Sequence, residues 1–236
     1  MLNVHWIRPK KPRIKKQVFL FLHGFPGRRT RNENYAAYLT AKYQVPSLHF
    51  QYLGLGDNPG TFSFKNCIEN TDKVITDLRS QGYEDIFLVA HSFGAFVALN
   101  VIKNRLEDIS GAILLAPLIQ MPNREQIEET LFNFCETQNA LEGYSANYKL
   151  LAEESEELSR SFLPLQDFEV YKAISGRLTI IHPPEDTVVP IAGSRLFRER
   201  MGEGFELFEL GDNHWFTGTE EVLSVMYNTV EKKWNL

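Results

Sequence analysis

Ser92 is the residue of this sequence whose surroundings most directly suggest chemistry. It is the central residue of positions 90–94 (AHSFG), between an apolar run typical of a buried strand and an apolar helix. A serine in a tight strand-to-helix turn needs small residues two positions before and after it, because the two backbones nearly touch there. Ala90 and Gly94 meet that requirement, although the common pattern has glycine at both positions. The alternative is a serine that only caps the following helix.

His214 and Asp186 are the candidate base and acid that a serine nucleophile requires. A serine hydroxyl reacts well only when a base takes its proton and a further group orients that base. Two histidines follow Ser92, and His214 is the better candidate because it lies in a polar turn between a strand-like run and the last helix. Asp186 follows another strand-like run, and Glu185 and Asp212 are its rivals. We favour Asp186 because the Val-Val-Pro behind it supplies an apolar anchor.

Residues 23–27 (HGFPG) form a candidate oxyanion loop directly after the first strand-like run. Reaction at a carbonyl needs N–H donors aimed at the oxygen that becomes negative. The backbone N–H groups of Phe25 and Phe93 are the candidate donors. The glycines and proline of this loop would hold it in a shape that allows close approach. The alternative is an ordinary tight turn, and we expect His23 to have a structural hydrogen-bonding role.

Strand-like and helical segments alternate along the chain, which predicts an α/β fold with a mostly parallel sheet flanked by helices. The strand-like runs are almost continuously apolar, as expected for strands that are buried on both faces. The predicted strands are residues 18–23, 47–52, 86–91, 112–115, 178–182 and 206–210. The predicted helices are residues 35–42, 67–78, 95–102, 192–201 and 220–234.

One connection is too long for a simple link between neighbouring strands. Residues 119–176 contain no strand-like run but include two amphipathic, Glu-rich stretches at 124–137 and 148–161. Connections in compact α/β units are usually much shorter than this. We therefore predict an α/β core of residues 1–118 and 177–236, with a small helical lid inserted at 119–176.

Composition excludes several classes of protein. The chain has 236 residues, is 43% hydrophobic and 23% charged, and carries a net charge of −5, which argues against a nucleic-acid binder. No apolar run approaches the roughly 20 residues that span a membrane. Two cysteines, Cys67 and Cys135, are too few for a disulfide scaffold or a four-cysteine zinc site. We expect a cytoplasmic protein with no metal, no cofactor, no nucleic acid and no membrane partner.

Taken together, the motifs resemble the α/β-hydrolase superfamily of serine esterases over nearly the whole chain. The signals occur in the order usual for that superfamily: residues 23–27, residues 54–57 (GLGD), Ser92, Asp186 and His214. Residues 52–79 are most similar to bacterial cinnamoyl/feruloyl esterases and related carboxylesterases. The resemblance implies six to eight strands with a shortened N-terminal hairpin, and an insertion that roofs an acyl pocket. It also implies ester cleavage through an acyl-enzyme. The sequence departs from the pattern at Ala90, and at Pro183, where glycine is common.

Substrate clues are few. Trp215 and Phe216 adjoin the candidate base and suggest an apolar or aromatic pocket, with ordinary core packing as the alternative. Arg28, with Arg29 and Arg31, follows the oxyanion loop and suggests an anionic substrate. The alternative is a solvated basic surface, since the first 31 residues carry nine Lys or Arg and no acid.

Three kinds of function stay open at this point. The first is a serine carboxylesterase acting on a small-molecule ester. The second uses the same triad in a thioesterase, peptidase or acyltransferase, and the third is a catalytically silent hydrolase-like binding protein. Asp-dependent dehalogenase or epoxide hydrolase chemistry is disfavoured, because the elbow residue is Ser92. The sequence leaves the oligomeric state open, with a homodimer as one option.

Overall fold

A computed structural model describes residues 2–11, 16–27, 30–138, 145–217 and 220–236. In these residues a seven-stranded sheet forms the centre of the molecule, with strand order β1-β3-β2-β4-β5-β6-β7. All neighbouring strands run parallel except β1, which pairs antiparallel with β3. The strands are β1 Val4–Ile7, β2 Gln17–Leu22, β3 Ser47–Phe50, β4 Asp85–His91, β5 Ile109–Leu115, β6 Leu178–His182 and β7 Glu206–Glu209. The predicted fold class is confirmed.

Helices cover both faces of this sheet. They are α1 Thr30–Tyr43, α2 Phe64–Ser80, α3 Phe93–Asn104, α4 Arg124–Gln138, α5 Tyr148–Ser161, α6 Glu169–Lys172, α7 Ala192–Met201 and α8 Glu220–Lys233. Residues of α1 and α8 pack on one face, whereas those of α2, α3 and α7 pack on the other. Alternate residues of β2 point to the two cores: Phe19 belongs to the first, and Val18 and Leu20 to the second. Burial on both faces explains the apolar runs in the sequence.

One strand was not predicted. β1 supplies the antiparallel edge of the sheet, with Val4 opposite Phe50 and Ile7 opposite Ser47. Its residues are exposed or half-buried, because a strand at the edge of the sheet is open to solvent on one side. The four-residue segment therefore lacks the strong apolar run by which the other strands were found.

Three helices, α4, α5 and α6, lie between β5 and β6, in the stretch predicted to be an insertion. The chain is tied to the core at Ser145, whose backbone N–H donates to the Gly54 carbonyl (2.7 Å) and whose carbonyl accepts from the N–H of Phe62 (2.7 Å). Phe62 also forms an isolated parallel bridge with Ala146. The segment that leads into α5 is therefore fixed to the loop that follows β3.

Candidate active site

Ser92 lies in a strained turn between β4 and α3. Its backbone has φ 55° and ψ −121°, a conformation that costs energy for a residue with a side chain. A Cβ added to Gly94 would lie 2.5 Å from the Leu22 carbonyl oxygen and 2.7 Å from that of His23. Glycine is thus required there, because α3 begins against the backbone at the end of β2. The tight turn raises the Ser92 side chain at the carboxyl edge of the parallel sheet.

The loop of residues 23–27 lies directly beside this turn. A Cβ on Gly24 would lie 2.9 Å from the Ser92 Cβ, so only glycine allows the loop to come this close. Phe93 is the first residue of α3, and N–H groups in the first turn of a helix have no acceptor within the helix. The rings of Phe25 and Phe93 meet edge to face, 6.3 Å apart. The structure therefore brings the two candidate oxyanion residues into contact, and both line one cavity with Ser92.

His214 bridges the candidate nucleophile and the candidate acid. Its Nε2 lies 3.0 Å from Ser92 Oγ, and its Nδ1 lies 2.7 Å from Asp186 Oδ2. An ionised carboxylate only accepts hydrogen bonds, so Nδ1 carries the proton and Nε2 can accept one from the serine hydroxyl. All three residues are buried, at 4–7% exposure. This arrangement can remove a proton from a hydroxyl in a site largely shielded from water.

The Asp186 carboxylate is fixed by its own loop. Its Oδ1 accepts hydrogen bonds from the N–H groups of Val188 (2.8 Å) and Val189 (2.9 Å), which leaves Oδ2 to His214. The rival acids lie elsewhere: Glu185 is exposed, and Asp212 accepts a hydrogen bond from the Thr217 hydroxyl. Of the three acids considered from the sequence, Asp186 is the one the structure brings to His214.

A cavity of about 510 Å³ opens beside Ser92. Its walls come from the oxyanion loop, α3, the acid loop and the start of the insertion. Its lining residues are Phe25, Phe64, Ser92, Phe93, Leu118, Gln120, Met121, Pro122, Gln126, Ile127, Thr130, Val188, Val189 and Pro190. Every one of these described residues is uncharged, and most are apolar. The cavity therefore suits a neutral, largely apolar group next to the serine.

Residues 13–149, more than half of the chain, match the family of serine hydrolases described as serine aminopeptidase, S33. The chain belongs to this family. A protein of Mycoplasma genitalium named "Putative esterase/lipase 2" is 31% identical over 131 residues. That match spans 52% of this chain and 47% of the relative, about half the length of each.

Solved structures with the same fold have low sequence identity to this family member. Est1E from Butyrivibrio proteoclasticus, solved with ferulic acid bound, has a TM-score of 0.76 and 18% identity, covering 100% of this chain and 96% of that one. A thermophilic esterase from Thermogutta terrifontis, with malate bound, has a TM-score of 0.71 and 15% identity, covering 98% and 93%. These likenesses show that the chain has the α/β-hydrolase fold.

Two of the predicted substrate-binding residues of this α/β-hydrolase, Trp215 and Phe216, are not part of the cavity lining. Phe216 has φ 52° and is buried in the core on the α1 and α8 face of the sheet, where it packs against the His91 ring. Trp215 is 48% exposed and lies edge-on to the His214 ring, with 5.8 Å between ring centroids. Arg28 lies outside the described residues. The aromatic side chains that do line the cavity are Phe25, Phe64 and Phe93.

Two further histidines, His91 and His23, contact the site. No role for His91 was predicted from the sequence. His91 Nε2–H donates to the backbone carbonyl of His214 (2.8 Å), and the two rings lie 4.9 Å apart. This bond ties the loop of His214 to the elbow. His23 is buried, its Nδ1–H donates to the Gly24 carbonyl (2.8 Å), and burial lowers its pKa to about 4. A neutral His23 thus braces the oxyanion loop from within.

In the described ranges, no group of three or more His, Cys, Asp or Glu side chains is placed to hold a metal ion. Across the same ranges, none of the helices combines the length and the apolar character needed to cross a bilayer.

Proposed function

We propose that this chain is a serine hydrolase that cleaves carboxylic esters with an uncharged acyl group through an acyl-enzyme. Ser92 would be the nucleophile, His214 the general base and acid, and Asp186 the group that orients the imidazole. The observation that carries the proposal is the position of His214. It lies within hydrogen-bonding distance of both other side chains, in the proton arrangement that attack by a hydroxyl requires.

The reaction would proceed in two halves. Ser92 Oγ attacks the ester carbonyl carbon while its proton passes to His214 Nε2, and the oxyanion accepts hydrogen bonds from the Phe25 and Phe93 N–H groups. The C–O bond to the alcohol then breaks, and the leaving oxygen takes the proton from His214. Water next gives a proton to His214 and attacks the acyl-enzyme, which releases the acid and restores the Ser92 hydroxyl. Asp186 stays ionised throughout.

The lining of the cavity favours an ester over the amino-terminal amide that the family description names. An aminopeptidase substrate carries an ammonium group at the acyl residue, and a buried cation needs an acidic partner. The described lining residues include no acid. Because ferulic acid is bound in a structure of the same fold, hydroxycinnamoyl esters belong among the first substrates to test.

We further propose that residues 119–176 act as a lid over a core of residues 1–118 and 177–236. Met121, Pro122 and Ile127 support this proposal, because they form the wall of the cavity contributed by the insertion. Ile127 is only 4% exposed and therefore faces inward from α4. The insertion would set the size of the acyl group, whereas the core would supply the chemistry.

A panel of chromogenic substrates tests this proposal. The panel contains neutral p-nitrophenyl esters, including one of a hydroxycinnamic acid, a p-nitrophenyl ester with a carboxylate on its acyl chain, an acyl thioester and an aminoacyl p-nitroanilide, each with Ser92→Ala as the control. We expect Ser92-dependent turnover that is fastest with the neutral esters. Faster cleavage of the anilide would favour a peptidase, and faster cleavage of the thioester a thioesterase. No Ser92-dependent turnover of any member would favour the binding protein.

A further inference from the structure

His182 contacts the loop that carries Asp186, and the mechanism above does not use it. It is the last residue of β6, and its side chain is completely buried. Its Nε2 lies 2.8 Å from the carbonyl oxygen of Val189 and 3.4 Å from Asp186 Oδ2. Its Nδ1 lies 2.8 Å from the hydroxyl of Ser194 on α7. The acid loop begins directly after His182, and Val189 lies near the end of that loop. The His182 ring therefore bonds to the far end of the loop through Val189 and to α7 through Ser194.

The proton of this imidazole can be assigned from its partners. A carbonyl oxygen only accepts, so Nε2 must carry the hydrogen that is donated to Val189. Burial lowers the pKa of His182, and the nearby His214 acts in the same direction, whereas the Val189 carbonyl and Asp186 act against it. A neutral ring with its proton on Nε2 leaves Nδ1 to accept from the Ser194 hydroxyl. The Val189 carbonyl therefore fixes the tautomer, and the Ser194 hydroxyl completes the arrangement by donating to Nδ1.

A neutral His182 suits the role of Asp186. Two imidazoles approach Asp186 Oδ2, His214 at 2.7 Å and His182 at 3.4 Å. A cationic ring at the second position would compete for the carboxylate's charge, which must stabilise the imidazolium formed on His214 during turnover. A neutral N–H instead holds the Val189 carbonyl and lies beside the carboxylate without neutralising it. Within the described part of the chain, Glu209 is a further charged neighbour of this ring: it lies opposite His182 on β7 and is paired with Arg195.

We propose that His182 is a positioning residue that holds the acid loop so that Asp186 stays against His214, with Ser194 bonded to its other ring nitrogen. The inference rests on the proposed function, because it assigns His182 a role in the same triad. Val188 and Val189 hold Asp186 Oδ1 through their N–H groups, and His182 holds the same loop through the Val189 carbonyl. Without that bond the loop can shift away from His214.

The first test compares His182→Leu with His182→Gln. Leucine has no N–H, whereas the amide of glutamine can still donate to Val189. The concentration of active sites is measured by fluorophosphonate titration, so that loss of folded protein does not count as loss of activity. We expect His182→Leu to lower kcat per active site about 10–100-fold with KM nearly unchanged, since displacements of about 1 Å have effects of this size. His182→Gln should restore most of the loss.

The pH profile of kcat/KM separates positioning from simple destabilisation. If Asp186 drifts from His214, the imidazolium loses its nearby negative charge and the pKa of His214 falls. The acid limb of the profile, which reports the free enzyme's base, should therefore move to lower pH in His182→Leu and return in His182→Gln. An unchanged acid limb and an unchanged kcat per titrated site in His182→Leu would overturn the proposal.

Two further measurements keep the proposal testable if His182→Leu does not fold or if the wild type proves inactive. Ser194→Ala removes the partner of Nδ1 but keeps the bond to Val189, and it should produce a smaller change in the same direction; no change in kcat or pH profile would count against the proposal. The ¹H NMR signal of the His214 Nδ1 proton reports the Asp186 contact without any turnover. It should be present at low field in the wild type and lost or shifted upfield in the His182 or Ser194 variant. Absence of labelling and turnover in the wild type would instead contradict the proposed function.

Discussion

The two walls around the Ser92 side chain are built in different ways. One wall, which we call the catalytic edge, consists of residues 23–27, 90–94, 182–189 and 211–216. Close backbone approaches and short buried hydrogen bonds fix it, as at Gly24, Gly94 and Asp186. The other wall, which we call the roof, is the described part of residues 119–161. Its inner surface combines apolar side chains with uncharged polar ones: Met121, Pro122, Ile127, Gln120, Gln126 and Thr130. We propose that the chemistry belongs to the first wall and the selectivity to the second.

A buried carboxylate on α5 attaches the roof firmly to the core, in addition to the backbone bonds of Ser145. Glu154 is 7% exposed, and it accepts hydrogen bonds from the Ser63 hydroxyl (2.6 Å) and the Phe64 N–H (2.7 Å) at the start of α2. A negative charge at a helix N-terminus is favourable, because the N–H groups there lack acceptors within the helix. In contrast, α4 packs mainly on α5 and leaves Phe132 62% exposed. α5 is therefore the anchored half of the roof.

The largest expected effect is on the catalytic edge, in Asp186→Asn. An amide in place of the carboxylate cannot stabilise the imidazolium and favours the wrong tautomer, so kcat should fall about 10⁴-fold. The matched control is Glu185→Gln, which neutralises the adjacent exposed acid and should leave kcat unchanged. Steady-state hydrolysis of a neutral p-nitrophenyl ester measures both. Equal losses in the two variants would show that Asp186 has no special role.

The second prediction concerns the close approach behind the nucleophile. In Gly94→Ala the new methyl group would collide with two backbone carbonyls that cannot move away independently, so the elbow must shift. We expect kcat to fall about 10²-fold through displacement of Ser92. The melting temperature should also decrease. Gly176→Ala is the control, because nothing lies within 4 Å of its added Cβ. An active, stable Gly94→Ala protein would contradict the rigid-edge description.

The third prediction tests whether the roof sets the size of the acyl group. Ile127→Phe adds volume to the cavity wall at a buried position. It should lower kcat/KM for p-nitrophenyl hexanoate about 10-fold, a usual penalty for a few misplaced methylene groups, while the acetate ester is unaffected. Phe132→Leu, at an exposed position of the same helix, should change neither value. Equal losses for both esters would mean that Ile127 does more than limit size.

The smallest effect is expected for the anchor of the roof. Glu154→Gln keeps the volume but removes the charge at the start of α2, and it should lower the free energy of unfolding by about 1 kcal/mol. Glu157→Gln removes an equal charge from the same helix. Glu157 is 61% exposed and pairs with Lys65 at the surface, so its loss should cost at most about 0.5 kcal/mol. Urea unfolding measures both, and equal values would remove the distinction between buried anchor and surface pair.

The contrast between the two walls also explains which features could be predicted from the sequence. On the catalytic edge the residue type is dictated by chemistry or by lack of space, so Ser92, His214, Asp186, Gly24 and Gly94 could be selected directly from the sequence. The buried strands were equally visible, because they are apolar on both faces. β1 was not, since a short, half-exposed edge strand depends on its pairing with β3 rather than on its own residues.

The roof was less predictable because its contacts are distant in the chain. Glu154 is one of nine Glu residues in positions 122–160, and its sequence does not distinguish it from the exposed ones. Its partners lie about 90 positions earlier. For Glu154 the sequence missed a contact, whereas for Phe216 it suggested one: because Phe216 is close to His214 in the chain, we expected it to line the pocket. Phe216 instead lies in the core on the α1 and α8 face, and Phe64 and Ile127 line the cavity.

The most direct test of the central claim is the intact mass of the protein after reaction with a fluorophosphonate, which bonds covalently only to an activated serine. The account predicts one adduct per wild-type chain, located on the peptide containing Ser92. It predicts no adduct in Ser92→Ala and strongly slowed labelling in His214→Asn. A wild-type protein that stays unlabelled, or a Ser92→Ala protein that is labelled equally well, would contradict it.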